Sequence, residues 1–237
     1  MPFLWRRVAA LWQAETWLLA SVLVIGALVL AFGWLAGEVI EGETAAFDRA
    51  LIMLFRNPVN PADPLGPPWL VEMARDITAL GSFGVLALLL VAVVGYLFLA
   101  RKHKTAWLVL ASVLGGLVLS HLLKFGFQRA RPDLVPHAVR VFTASFPSGH
   151  ATLSAVTYLT LGALLTRTQQ SWRLRVFFML IAVVLTILVG LSRVYLGVHY
   201  PTDVLAGWCL GSAWALICWT LMARMQVEGQ VEPAKPS

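Results

Sequence analysis

The chain has 237 residues, 59% of them hydrophobic and only 13% charged, with a formal net charge of +6 and a mean hydropathy of +0.78. A soluble domain carries roughly 25% charged residues, so an ordinary soluble fold is excluded. The positive balance reads as membrane topology plus an anionic ligand, with no nucleic-acid partner implied.

Residues 1–16, "MPFLWRRVAALWQAET", read as a cytoplasmic or interfacial segment lying on the membrane surface. The apolar run 17–37 is longer than the roughly 7–15 residues of a signal-peptide core, so it reads as a retained anchor. Segment 38–76 begins acidic and continues with "FDRALIMLFRN", which suits a surface-lying helix. "PVNPADPLGPP" breaks it and "WLVEMARDITALG" resumes a helix, so 38–76 is expected to cap one face of the membrane domain.

Further apolar runs at 77–100, 105–123, 151–166, 176–192 and 204–223 bring the candidate spans to six. The fourth and fifth are short and are expected to extend by a turn into their flanks. None alternates as barrel strands do. The fold expected is therefore all-α, a polytopic membrane bundle of six transmembrane helices forming one domain over 17–223. A polar tail, 224–237, is expected to be disordered and cytoplasmic. Cys209 and Cys218 share the last span, too far apart along one helix to pair, and read as small buried thiols.

With the N-terminus inside, ten Lys and Arg fall on cytoplasmic segments and eight outside. The compact basic loops "RKHK" (101–104) and "RTQQSWRLR" (167–175) both lie inside, which sets the orientation. The ends of the third and fifth spans and the starts of the fourth and sixth then share the outer face. That brings together Lys124, Arg131, "PSGH" (147–150) and "SRVYLGVHYPTD" (192–203).

Clustered cations beside hydrocarbon are costly unless an anion joins them, and a phosphoryl group fits a mixed set of lysine and arginine. Pro147 and Ser148 read as a helix start, with the backbone N–H groups of Ser148 and Gly149 offered to the anion. His199 lies four residues before Asp203. The carboxylate can hold one ring nitrogen and make the other the better nucleophile, while His150 can act as general acid. No metal or cofactor is required. For Arg129 and Arg140 a reach toward lipid headgroups is the expected role. His121 and His137 are expected to be structural or solvated.

"KFGFQRARP" fits K-x6-R-P, "PSGH" fits a second motif, and "SRVYLGVHYPTD" fits S-R-x5-H-x3-D. In these three motifs the chain resembles the type 2 phosphatidic acid phosphatase family of integral-membrane lipid phosphatases. That family shares an acid phosphatase/vanadium haloperoxidase-like core with the vanadium haloperoxidases and glucose-6-phosphatase. The resemblance implies that Lys124, Arg131 and Arg193 bind phosphate, with Ser148 and Gly149 donating hydrogen bonds. It implies that His199 becomes a phosphohistidine, that Asp203 orients it, and that His150 protonates the leaving group. Ser192 and Pro147 would be supporting residues.

The expected activity is metal-independent hydrolysis of a membrane-lipid phosphate or diphosphate at the outer face of a bacterial inner membrane. Both termini would be cytoplasmic and no obligate protein partner is expected. Undecaprenyl diphosphate, phosphatidylglycerol phosphate, phosphatidic acid and lipid A phosphates all remain open as substrates. A lipid phosphotransferase using the same phosphohistidine is the alternative, followed by a vanadate-dependent oxidant or an anion transporter.

Overall fold

A computed structural model describes the backbone of residues 2–133 and 143–227, and side chains over 16–133 and 143–226. Among these residues the chain forms eight helices: α1 (Pro2–Glu41), α2 (Ala45–Leu54), α3 (Pro68–Ala79), α4 (Phe83–Leu99), α5 (His103–Phe127), α6 (Gly149–Thr168), α7 (Trp172–Tyr195) and α8 (Pro201–Val227). His137 and Arg140 lie outside the described residues, as does the tail from 228 onward.

Among the described residues four stretches are long and apolar enough to cross a bilayer: Thr16–Glu41, His103–Phe127, Trp172–Tyr195 and Pro201–Gln226. The pair α3 and α4 makes a fifth, bent by 45°. α6, at 20 residues, matches a hydrocarbon core of about 30 Å but is more polar than these stretches. It can be polar because its neighbours shield it from lipid: Thr152, Ser154, Thr157 and Thr160 are all buried. Large apolar side chains face outward around the rim, among them Leu88, Val91, Leu99 and Trp107. The protein is a multi-pass helical membrane bundle.

Two boundaries differ from those expected. The run 77–100 is not one helix. α3 takes its first residues, and Ser82 then caps α4, its Oγ accepting from Val85 N–H at 3.3 Å. At the N-terminus, α1 runs without a break from Pro2 to Glu41, so 2–16 continues into the first span's helix.

α6 packs against α5, α7 and α8. Its approach to α8 depends on Gly207 and Gly211, spaced four apart. A Cβ on Gly211 would stand 2.5 Å from Thr152 O, and one on Gly207 would stand 2.9 Å from Ser148 O. Small residues let the two backbones meet, which is how membrane helices gain packing without a hydrophobic drive between them. Polar ties cross the same core. Ser112 Oγ and Thr160 Oγ1 lie 3.1 Å apart, and Trp214 Nε1 donates to Ser112 O at 2.7 Å. Cys209 and Cys218 are free thiols.

The segment between α1 and α4 lies against one end of the bundle. Ile52 of α2 is buried among Ala151, Val194 and Val204. Arg56 donates to Tyr195 O at 2.7 Å, satisfying a carbonyl at the C-terminus of α7, where a cation is favoured. The ends of α5 and α7 and the starts of α6 and α8 meet beneath this segment.

Candidate active site

A turn at the end of α7 places the central imidazole. Val198 N–H donates to Arg193 O at 3.2 Å and Gly197 N–H to Val194 O at 3.0 Å. This is the Schellman pattern of helix ending, and it requires a left-handed residue. Gly197 supplies it, with φ +73°. The turn fixes Arg193, on the last turn of α7, relative to His199, three residues beyond the cap. Pro201 opens α8, and Asp203 reaches back to Tyr200 N–H at 2.9 Å, as the third helical residue does in a capping box.

His199 is buried, 1% exposed, and both ring nitrogens are engaged. Nδ1 lies 3.2 Å from Asp203 Oδ2, and Nε2 lies 3.1 Å from Arg131 Nη1. Burial is the main cause holding the His199 pKa well below the ordinary imidazole value, and the charges of Arg193, Arg131 and Lys124 add to it. The ring is a neutral base.

Around it stands a cavity of about 580 Å³. Lys124, Arg131, Arg193, Gly149, His150 and His199 line it, together with the apolar Phe83, Leu117 and Leu153. Lys124 Nζ donates to Ala144 O at 2.6 Å. Arg131 donates from Nε to Thr143 O at 2.8 Å and from Nη1 to Val198 O at 2.7 Å. Arg193 Nη1 donates to Thr78 Oγ1 at 3.0 Å, and its buried Nε has no partner among the described residues. Burial also lowers the Arg131 pKa, with Asp203 opposing the shift. Like charges gathered out of water are stable only when an anion joins them.

The structure thus gathers Lys124, Arg131, Gly149, His150, Arg193 and His199 into one cup, with Asp203 behind the imidazole. Ser148 departs from expectation. Its N–H does not face the anion but donates to Asp203 O at 2.9 Å, while its Oγ accepts from Ala151 N–H at the start of α6. Ser148 is buried and is not among the residues that line the cavity. Pro147 precedes it outside the cavity lining. Ser192 Oγ bonds back to Val189 O at 2.7 Å on its own helix. His121 lines the cavity mouth, with Nδ1 2.9 Å from Leu117 O.

Arg129 does not reach for lipid headgroups. Its Nη1 donates to Asp203 Oδ1 at 2.6 Å and its Nη2 to Asp48 Oδ2 at 2.8 Å, because two buried carboxylates attract it more strongly than water does. Burial alone would lower its pKa, but the two carboxylates outweigh that and raise it. Ser145, whose hydroxyl donates to Asp203 Oδ2, belongs to no motif read in the sequence, and neither do Asp48 and Thr78. Asp48 had a legible signal: it stands four residues before Ile52, on the helix face that α2 buries.

Residues 105–226 match the PAP2 superfamily model. Over 145 residues the chain is 38% identical to phosphatidylglycerophosphatase B of Bacillus subtilis, covering 61% of this chain and 71% of that one. It is 36% identical over 123 residues to an undecaprenyl-diphosphatase of Sulfolobus acidocaldarius, covering 51% of each. The crystal structure of a transmembrane PAP2-type phosphatidylglycerolphosphate phosphatase from B. subtilis is similar, with a TM-score of 0.72 and 30% identity. That match covers 85% of this chain and 96% of that chain.

An anion cup around a carboxylate-backed imidazole, at one end of a spanning bundle, is the equipment of a membrane-embedded lipid phosphatase. The chain belongs to the PAP2 superfamily.

Proposed function

We propose that the protein hydrolyses a terminal phosphate or diphosphate group from a membrane lipid at the outer face of a bacterial inner membrane, through a phosphohistidine on His199. One observation carries this reading: His199 lines a cavity shared by three cations and several apolar side chains, with its Nε2 against one of the cations, Arg131. A lipid phosphate has the same two-part character.

The phosphoryl group sits among Lys124, Arg131, Arg193 and the start of α6 at Gly149. Its dianionic charge offsets two of the three cationic charges. His199 Nε2 attacks phosphorus, the bond from phosphorus to the lipid oxygen breaks, and His150 delivers a proton to that oxygen. The arriving anion is what lets His150 carry a proton in so cationic a pocket. Water then attacks phosphorus, His150 takes its proton, and the N–P bond breaks to return neutral His199. Asp203 keeps Nδ1 protonated throughout and offsets the positive charge that develops on the ring. The three cations hold the phosphoryl oxygens as charge shifts across them.

The outer-face assignment rests on charge. The α4–α5 and α6–α7 turns with their flanking helix ends carry Arg101, Lys102, Lys104, Arg167, Arg173 and Arg175 opposite the cup, and short basic connections stay inside. The substrate class follows the two relatives named for phosphatidylglycerophosphate and undecaprenyl diphosphate.

Purified protein in detergent is offered a panel of lipid phosphates and diphosphates, with inorganic phosphate measured. Release from a subset, together with an acid-labile phosphate on His199 after rapid quench, is the expected result. Turnover by His199→Ala at the wild-type rate would refute the reading.

A further inference from the structure

Behind the imidazole, away from the phosphate cavity, lies a buried chain of charge. Arg129 spans two carboxylates, Asp203 Oδ1 at 2.6 Å and Asp48 Oδ2 at 2.8 Å. Asp48 is fully buried, 0% exposed. It accepts from Thr202 N–H at 3.0 Å and from the Thr202 hydroxyl at 2.7 Å. Arg129 also donates from Nη1 to Thr202 Oγ1 at 2.9 Å and from Nη2 to Thr44 Oγ1 at 3.4 Å, and stacks 4.2 Å above the Tyr200 ring. It does not line the phosphate cavity.

We propose that Arg129, anchored by Asp48, is a positioning residue for the reaction: it occupies one oxygen of Asp203 so that the other stays on His199 Nδ1. This rests on the reading of His199 as the nucleophile.

The division of labour at Asp203 supports it. Oδ1 receives Arg129, while Oδ2 receives His199, Tyr200 N–H and the Ser145 hydroxyl. The two oxygens of a carboxylate are chemically equivalent, and its terminal torsion is soft. Without a partner on Oδ1, rotation would carry Oδ2 off the imidazole, and the ring could turn its lone pair away from the cavity.

Charge explains why Arg129 has a second carboxylate. Paired with Arg129 alone, Asp203 would belong to a neutral pair and offer little to the positive charge growing on His199. Asp48 brings the set of Asp48, Arg129 and Asp203 to a net charge of −1. The imidazole therefore still faces an anion as it takes up phosphorus. The same arrangement accounts for α2, which delivers Asp48 beneath the start of α8.

The test uses the full-length protein in detergent, a short-chain lipid phosphate as substrate and inorganic phosphate as competitive inhibitor. Arg129→Ala should lower kcat by roughly 10- to 100-fold, the scale of a small misplacement of a reacting group. KM and the inhibition constant for phosphate should stay within about twofold, because the cup is untouched. Arg129→Lys should recover most of the lost kcat, and Asp48→Asn, which keeps size and shape but removes charge, should lower kcat roughly tenfold at constant KM. Arg75→Ala, at an exposed pair with Glu72, serves as the control and should change nothing.

Wild-type kcat in folded Arg129→Ala or Asp48→Asn overturns the proposal. So does a rise in KM or in the phosphate inhibition constant at constant kcat, which would make Arg129 a substrate ligand. Should Arg129→Ala fail to fold, Arg129→Lys and Asp48→Asn carry the test on the same criteria. His199→Ala is run beside them: turnover in that variant removes the nucleophile assignment whatever the Arg129 variants do.

Discussion

Arg131 Nη1 lies 3.1 Å from Nε2 of His199. A guanidinium only donates, so this ring nitrogen accepts, and the ring proton sits on Nδ1 toward Asp203 Oδ2 at 3.2 Å. The contact fixes the tautomer that a nucleophile needs. Under the proposed function it also sets a cation of the cup against the attacking atom, and binding of an anion should draw Arg131 onto the phosphoryl oxygens and free the lone pair.

The two sides of the ring give the first prediction. Asp203→Asn should lower kcat by on the order of 10³-fold or more, as loss of the carboxylate does in other carboxylate-oriented imidazoles. An amide can present its NH₂ to Nδ1 and favour the wrong tautomer. His199→Ala should leave no measurable turnover and a folded protein. Steady-state kinetics with circular dichroism on each variant checks both.

The second prediction concerns pH. The folded pKa of His199 lies well below the unfolded value of about 6.5. The unfolded chain therefore takes up a proton below about pH 6.5 that the native site excludes. Stability should be full above that pH and should fall as pH drops toward the folded pKa. His199→Asn, which cannot titrate, should lose this part of the slope. The Tm difference between the two proteins should hold steady from pH 8 to about 6.5 and then move against the wild type as pH falls to 5. Parallel curves over the whole range would exclude His199 as the cause. The acid limb of kcat/KM, which reports the free enzyme, should likewise show no His199 titration near 6.5.

Much of this site was legible in the sequence because it is assembled from helix ends. Polar residues bounding long apolar runs mark where a chain leaves the membrane, and an up-and-down topology then decides which ends meet. Lys124, Arg131, His150, Arg193 and His199 followed from that logic and from the resemblance to a phosphatase family. Ser148 did not, because only coordinates show its N–H given to Asp203 O. Arg129 was misplaced for a related reason: two residues from Arg131 in "QRARP", it carries nothing in its local pattern to say which cation faces the anion and which faces the carboxylates. The break at Gly81 and Ser82 was hidden inside an uncharged run. α6 reads as a short, weak span because its polarity is tolerated only inside the bundle.

A third prediction sets function against stability. Arg193 is 3% exposed, with an Nε that has no partner among the described residues and two other cations lining the same cavity. Arg193→Met should raise Tm of the ligand-free protein, because replacing an uncompensated buried charge by an apolar chain of similar length removes repulsion and desolvation cost. The same change should lower kcat/KM by roughly 10²–10³-fold, the scale for losing one donor to a charge-bearing oxygen. It should also abolish the Tm increase given by inorganic phosphate. A lowered Tm with retained phosphate response would contradict this.

The α6–α8 contact yields a fourth. Gly211→Val places carbon where Thr152 O already stands 2.5 Å away, and should destabilise by about 1–3 kcal/mol or more. Gly95, inside α4, has nothing within 4 Å of its Cβ position. Gly95→Ala should therefore stabilise by about 0.5–1 kcal/mol, through helix propensity alone. Thermal unfolding in one detergent compares the two, and equal effects would deny that close backbone approach holds α8 in place.

The most direct measurement is a crystal structure of the protein with vanadate, which adopts the five-coordinate geometry of phosphorus in flight. The account predicts vanadium bonded to His199 Nε2, equatorial oxygens on Lys124, Arg131 and Arg193, and His150 at the apical oxygen. Vanadate bound away from His199, or held there with Arg193 and Lys124 turned elsewhere, would contradict it.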